Sequence, residues 1–142
     1  MTVSGRPPIN HETLSAIRLE LGAHFPRILG YFAEDGVKSV QAVEEAVANR
    51  DAVALVRPAH TLKGEALQFG AEALGYAAEH IETAARAGVE AHEFPLDIVD
   101  FGYKLRPLFE EALVALQHAV APKPAVATPL RRPAGGFGRK VG

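Results

Sequence analysis

The 142-residue sequence contains no cysteine, which removes disulfides, thiolate metal sites and cysteine nucleophiles from consideration. That absence fits a reducing compartment, so the cytoplasm is the expected location. The start, "MTVSGRPPIN", lacks a basic segment followed by an apolar core, and no apolar run approaches the roughly 18 to 20 residues that cross a bilayer. A soluble chain with no membrane partner is expected. No stretch sustains a two-residue alternation of apolar and polar side chains, no internal repeat is found, and no G-x-x-x-x-G-K-[ST] loop is present to cradle the phosphates of ATP. Acidic residues are missing from 121–142, which carry Lys123, Arg131, Arg132, Arg139 and Lys140. The formal charge of -2 therefore hides about -7 on the first 120 residues. An acidic body argues against nucleic acid as the main partner, because phosphate contacts need clustered Lys and Arg.

What is present is helical periodicity. Leu14, Ile17, Leu21 and Phe25 recur at steps of three and four behind Asn10, a good N-cap, and predict a short helix over 10–24. Leu29, Phe32, Gly36, Val40, Val43 and Val47 predict a longer one over 26–48, with Pro26 in its first turn. Asp51 caps a third, whose stripe Leu55, Ala59, Leu62, Ala66 and Phe69 runs to Gly70. Leu74, Ala78, Ile81 and Ala85, closed by Gly88, give a fourth. Ile98, Phe101, Leu105, Leu108, Ala112 and Ala115 give a fifth to about residue 119, with a kink or restart expected at Pro107. The predicted fold is all-α: an antiparallel four-helix bundle over 10–120 with a short N-terminal helix across one end. Residues 1–9 are expected to be flexible, and the Pro-, Gly- and Arg-rich 121–142 to form a disordered tail.

The third helix carries the candidate chemistry, in "AHTLKGEALQFG". On a helical wheel His60 lies about 140° from the buried stripe and Gly64 about 180°, so both should face water. Lys63 and Gly64 follow His60 by one turn and sit beside it. An ammonium there suits a phosphoryl group on the imidazole, and a glycine inside a helix costs roughly 0.5 to 1 kcal/mol unless the empty space is used. The plain alternative is a solvent-facing histidine beside a tolerated glycine. Val56 and Leu67 flank His60 on the wheel and could form an apolar docking patch.

These residues resemble the H-x-L-K-G-x-x-x-x-x-G signature of histidine-containing phosphotransfer (HPt) domains, matched by His60, Leu62, Lys63, Gly64 and Gly70. The helical order around the motif extends the resemblance over about 10–119. It implies that His60 is the phosphoacceptor, Lys63 the phosphate neutraliser and Gly64 the gap through which a receiver domain approaches. Many members carry a small hydroxyl residue or alanine after the glycine; Glu65 stands here instead, and is expected to influence partner choice. Pro58 removes the bond to the Ala54 carbonyl and is expected to bend the helix near His60.

Folding back at Gly70 places His60 level with the region of His80, where Glu79 and Glu82 lie. Some members use an acid or amide at the place matching Glu82 to hold the imidazole. A carboxylate accepting the Nδ1 proton would leave Nε2 as the nucleophile. The competing reading of Glu82 is an exposed acid paired with Arg86 four residues on.

The function implied is a phosphoryl carrier in a phosphorelay, without autokinase activity. Donor and acceptor would be receiver domains of hybrid sensor kinases and response regulators; those partners, not this chain, would carry Mg²⁺. A monomer is expected, since the bundle can bury its own apolar stripes. Three rival readings stand beside it: a docking module of the same fold that binds a receiver without transfer, a metal protein or hydrolase built on His11, His24, His80, His92 and His118, and the dimerising phosphoacceptor segment of a sensor kinase. No two histidines are four apart and no H-E-x-x-H occurs, which weakens the metal reading. A following ATP-binding domain, which the last of these readings would require, is not expected in 142 residues.

Overall fold

The computed structural model describes residues 6–120; the expected basic tail, 121–142, lies outside the described residues, as do residues 1–5. Asn10 starts the chain into α1 (His11–Leu21) by accepting backbone N–H bonds from Glu12 at 3.0 Å and Thr13 at 3.1 Å. A 3₁₀ turn, Gly22–His24, leads into α2 (Phe25–Ala48), where Pro26 occupies the first turn and so removes no helical hydrogen bond. Asp51 caps α3 (Ala52–Gln68) through the Ala54 amide at 3.1 Å. Then come α4 (Glu72–Ala91), a second 3₁₀ turn (Leu96–Ile98) and α5 (Val99–Val120). Among the described residues there is no strand, and the all-α bundle expected from the periodicity is the architecture observed.

The four long helices pack in a closed cycle, α2 on α3, α3 on α4, α4 on α5 and α5 on α2, with α3 and α4 sharing the largest interface. The turn between those two depends on Gly70, whose φ of +82° is the left-handed region that side chains rarely adopt. Its carbonyl accepts the Asn10 amide at 2.7 Å, and a Cβ there would stand 2.6 Å from the Asn10 carbonyl oxygen. Asn10 also donates from its side chain to Glu72 at 3.0 Å, so α1 is fastened across the α3–α4 end of the bundle. The core beneath that end is aromatic. Phe69 meets Phe25 edge-on at 5.8 Å and Phe32 at 5.3 Å, and Phe32 in turn meets Phe109 at 5.7 Å.

The structure corrects three expectations. Gly88 does not end α4, which continues to Ala91 and stops at His92 in the left-handed conformation. Gly88 is instead a point of close approach: a Cβ there would lie 2.6 Å from the Glu93 carbonyl oxygen. Pro107 does not restart α5, which is helical from Val99 to Val120. At Pro58, where a bend and not a break was expected, α3 runs on unbroken. A proline removes one hydrogen bond, and the packed faces on either side of it hold the helix together. Finally, the segment expected to be flexible, 1–9, is in part built into the body, because Ile9 is buried among the core side chains.

Candidate functional site

The site forms where the outer edge of α3 meets α4. Leu55, Ala59, Leu62 and Ala66 bury the inner face of α3, which by helical geometry turns His60 and Gly64 outward. The His60 side chain is 60% exposed. Opposite it, Ala78, Ile81 and Ala85 bury α4 and carry Glu82 inward toward α3, so its side chain is 7% exposed. A buried carboxylate needs partners, and three are present.

His60 Nδ1 lies 2.9 Å from Glu82 Oε2. Arg86 donates to that same oxygen from Nε at 2.9 Å and from a terminal guanidinium nitrogen at 2.7 Å. Lys63 Nζ lies 2.9 Å from Oε1, an ion pair by distance that lacks the alignment of a hydrogen bond. Burial by itself pushes the Glu82 carboxyl up; the three neighbours, Lys63, Arg86 and His60, outweigh it and bring the group from 4.5 down to about 2.

That ionisation fixes the histidine tautomer. A carboxylate only accepts hydrogen bonds, so the proton in the 2.9 Å contact belongs to Nδ1, and in the neutral ring Nε2 then carries the free lone pair. The two sequence readings of Glu82, imidazole holder and partner of Arg86, turn out to be compatible. One buried carboxylate does both, because its oxygens offer about four acceptor positions. The hairpin estimate that set His60 level with the region of His80 places Glu82 in reach of the imidazole, and the contact is made there; His80 itself stacks on Phe101 of α5. Glu79 is exposed.

Lys63 is beside His60 as expected, but its ammonium rests on Glu82 rather than reaching freely into solvent. Gly64 is open on its outer side, where an added Cβ would have no neighbour within 4 Å among the described residues. Val56 and Leu67 are each half-buried. Leu67 is in part committed to the fold, since its side chain lies against Gly75 of α4, where a Cβ would stand 2.4 Å from Leu67 Cδ2. Glu65 is half-buried rather than displayed beside His60. Its carboxyl is pushed up by burial and by Asp35 on α2, and its Oε1 has no hydrogen-bond partner among the described residues. The sequence did not reveal that Arg86 and His60 share one oxygen; the four-residue step from Glu82 to Arg86 was the available signal. As for the metal reading, no group of three His, Asp or Glu side chains able to hold an ion occurs among the described residues.

The sequence pattern of the Hpt domain matches residues 27–119, which takes in α3, α4 and most of α2 and α5. The chain belongs to the Hpt domain family. The Hpt bundle is also similar to the crystal structure of histidine-containing phosphotransfer protein B (HptB) from Pseudomonas aeruginosa PAO1, with a TM-score of 0.71. The superposition covers 81% of this chain and 96% of that one, at 20% sequence identity, a level at which the likeness speaks for the fold. No curated protein matches the chain in sequence. Within the described residues of this Hpt domain, no helix is long and apolar enough to cross a membrane.

Proposed function

We propose that this Hpt domain protein is a reversible phosphoryl carrier, taking the group onto His60 Nε2 from an aspartyl phosphate of one receiver domain and passing it to the aspartate of another. The observation that carries the proposal is the 2.9 Å contact between Nδ1 and a buried, ionised Glu82, which leaves the lone pair on the exposed nitrogen. In the forward step Nε2 attacks phosphorus, the N–P bond forms, and the P–O bond to the aspartate breaks with its electron pair leaving on the carboxylate oxygen. Nδ1 keeps its proton. The phosphorylated ring therefore carries positive charge beside the Glu82 carboxylate, which stabilises it without consuming a base. Return of the group to a second aspartate is the same step reversed.

Lys63 neutralises the phosphoryl oxygens. Its ammonium has three N–H donors, so one can stay on Glu82 while another turns to the phosphate. Gly64 leaves the space into which the receiver's active-site loop fits, since among the described residues nothing fills it. Val56 and the exposed part of Leu67 supply apolar contact to the receiver, and Mg²⁺ is carried by the receiver. The carrier works as a cytoplasmic monomer, and light scattering on the purified chain tests its mass.

The decisive experiment is transfer from a radiolabelled receiver phosphate to the wild-type chain and to His60→Gln. Acid-labile, alkali-stable label on wild type alone supports the carrier. Label retained by His60→Gln refutes it, and binding of a phosphorylated receiver without any label on wild type leaves the docking-module reading in its place.

A further inference from the structure

A groove runs from the His60 site toward the start of α3 and the end of α4, lined by Val53, Val56 and Arg57 of α3 and by Arg86, Val89 and Glu90 of α4. Its order follows from the hairpin. The two helices are antiparallel and His60 meets Glu82, so one turn further along Val56 and Arg57 stand level with Arg86, and the next turn brings Val53 level with Val89 and Glu90. Arg86 belongs to both places, since it lines the groove and donates to the Glu82 oxygen that faces His60. Most of the remaining lining is apolar and open to solvent: Val53 is 69% exposed and Val89 38%, and Val56 is half-buried.

The cations around His60 differ in what holds them. Lys63 and Arg86 both rest on the Glu82 carboxylate. Arg57 is exposed, and among the described residues no carboxylate, hydrogen-bond acceptor or ring engages it. It lies three residues before His60, hence on the adjoining turn of the same outer face. Side chains on a helix lean toward its N-terminus, so the imidazole is inclined over the turn that carries Arg57. The opposite flank of α3 has the other sign: Glu65 lies there, and burial and the neighbouring Asp35 of α2 push its carboxyl up. A partner with carboxylates around its reacting group therefore meets repulsion on the α2 side of His60 and an uncommitted guanidinium on the α4 side. Glu90 stands a full turn beyond Arg86, at the end of the groove away from His60.

We infer that Arg57 selects the exchange partner: its guanidinium takes a carboxylate at the rim of the receiver's phosphorylation site, while the receiver's apolar surface covers Val53, Val56 and Val89. The inference rests on the phosphoryl-carrier reading and deepens it, by naming the side of His60 on which the receiver sits and the residue that reads it. A receiver that holds Mg²⁺ beside an aspartate is built from carboxylates, and a guanidinium matches a carboxylate with two parallel hydrogen bonds. Arg57 acts in docking and not on the transferred group, whose oxygens are met by Lys63. It therefore favours encounter in both directions of transfer.

The test is transfer from a receiver domain carrying ³²P on its aspartate, one that labels the wild-type chain, measured against receiver concentration for full-length wild type and variants. Arg57→Glu is expected to raise the receiver concentration at half-maximal rate about tenfold and to leave the saturating rate within about twofold. Arg57→Lys keeps the charge and recovers most of that loss, and added salt narrows the gap between wild type and Arg57→Glu. Lys104→Glu on α5, the same change of net charge at an exposed position away from the groove, leaves half-saturation unchanged. Phosphoramidate, a small donor with no docking surface, labels His60 equally fast in wild type and Arg57→Glu. The inference is overturned by unchanged half-saturation in Arg57→Glu or by an equal loss in Lys104→Glu. It is equally overturned by slower phosphoramidate labelling of Arg57→Glu, which would place Arg57 on the phosphoryl group. The carrier reading fails by other outcomes, label retained in His60→Gln or none on wild type from any receiver, and those take this inference with them.

Discussion

Replacing Glu82 with Gln separates the charge of the buried group from its shape. The amide oxygen can still accept the Nδ1 proton of His60, but it cannot neutralise Lys63 and Arg86. In the native chain the carboxyl sits at about 2 instead of 4.5. By linkage that difference corresponds to at most about 3.4 kcal/mol of stability at neutral pH. The side chains of His60 and Arg86 are about 60% exposed, so water screens their share and the expected loss is about 1 to 2 kcal/mol. The sign follows from the direction of the shift. A folded-state value below the unfolded one gives stability that is complete above pH 4.5 and disappears as pH falls toward 2. Urea unfolding should therefore show wild type more stable than Glu82→Gln at neutral pH and the two converging as the acid limb is descended. A gap that stays constant from neutral pH to about pH 3 would refute the assignment of a shared, ionised carboxylate. Histidine ¹⁵N shifts provide the second readout: the Nδ1–H tautomer should persist in Glu82→Gln and be lost in Glu82→Ala. Loss in both would mean that the charge, not the acceptor position, holds the ring.

Gly64→Ala should leave the fold intact and add roughly 0.5 to 1 kcal/mol of helix stability, because no atom of the described residues opposes the new methyl, while transfer from a receiver slows; an unchanged transfer rate would show that the open space is not used. Gly36→Ala should do the reverse. A Cβ there would stand 2.2 Å from Phe109 Cε1, so a loss of about 1 to 3 kcal/mol is expected in urea unfolding, with the transfer chemistry of the remaining folded protein preserved. Lys63→Ala should reduce the rate of phosphotransfer while far-UV circular dichroism at neutral pH stays native, and a rate equal to wild type would remove its electrostatic role.

The fold was legible because its signals are local. Periods of three and four residues, Asn10 and Asp51 as caps and Gly70 as a turn locate the helices to within a few residues, since each depends on neighbours along the chain. Gly88 and Pro107 misled for one shared reason. Each was read as punctuation, and each instead sits where another part of the chain decides the outcome: Gly88 is inside a helix because the Glu93–Pro95 backbone and ring pass over it, and α5 is sustained through Pro107 by the buried Leu105, Leu108 and Phe109. Ile9 was hidden for a similar reason, because a lone apolar residue after two prolines has no period to announce its burial.

The site divides in the same way. His60, Lys63 and Gly64 lie within two turns of one helix, so a wheel suffices to show that His60 and Gly64 face water and that Lys63 stands next to the imidazole. Glu82 is 22 residues away, and a hairpin count alone brings the chain to within two positions of it. Burial was the missing quantity. An exposed Glu82 would be spent on Arg86, whereas a buried one must satisfy several acceptor positions at once, and this is what brings His60, Lys63 and Arg86 onto a single carboxylate. The consequence reaches back to the chemistry. Arg86 and His60 donate to the same oxygen, so Arg86 draws on the electron density that Glu82 offers the imidazole. Arg86→Met should strengthen the remaining hydrogen bond to Nδ1 and favour the phosphorylated, positively charged ring, moving the transfer equilibrium toward this protein. An equilibrium shifted toward the receiver would mean instead that Arg86 serves mainly to keep Glu82 in place.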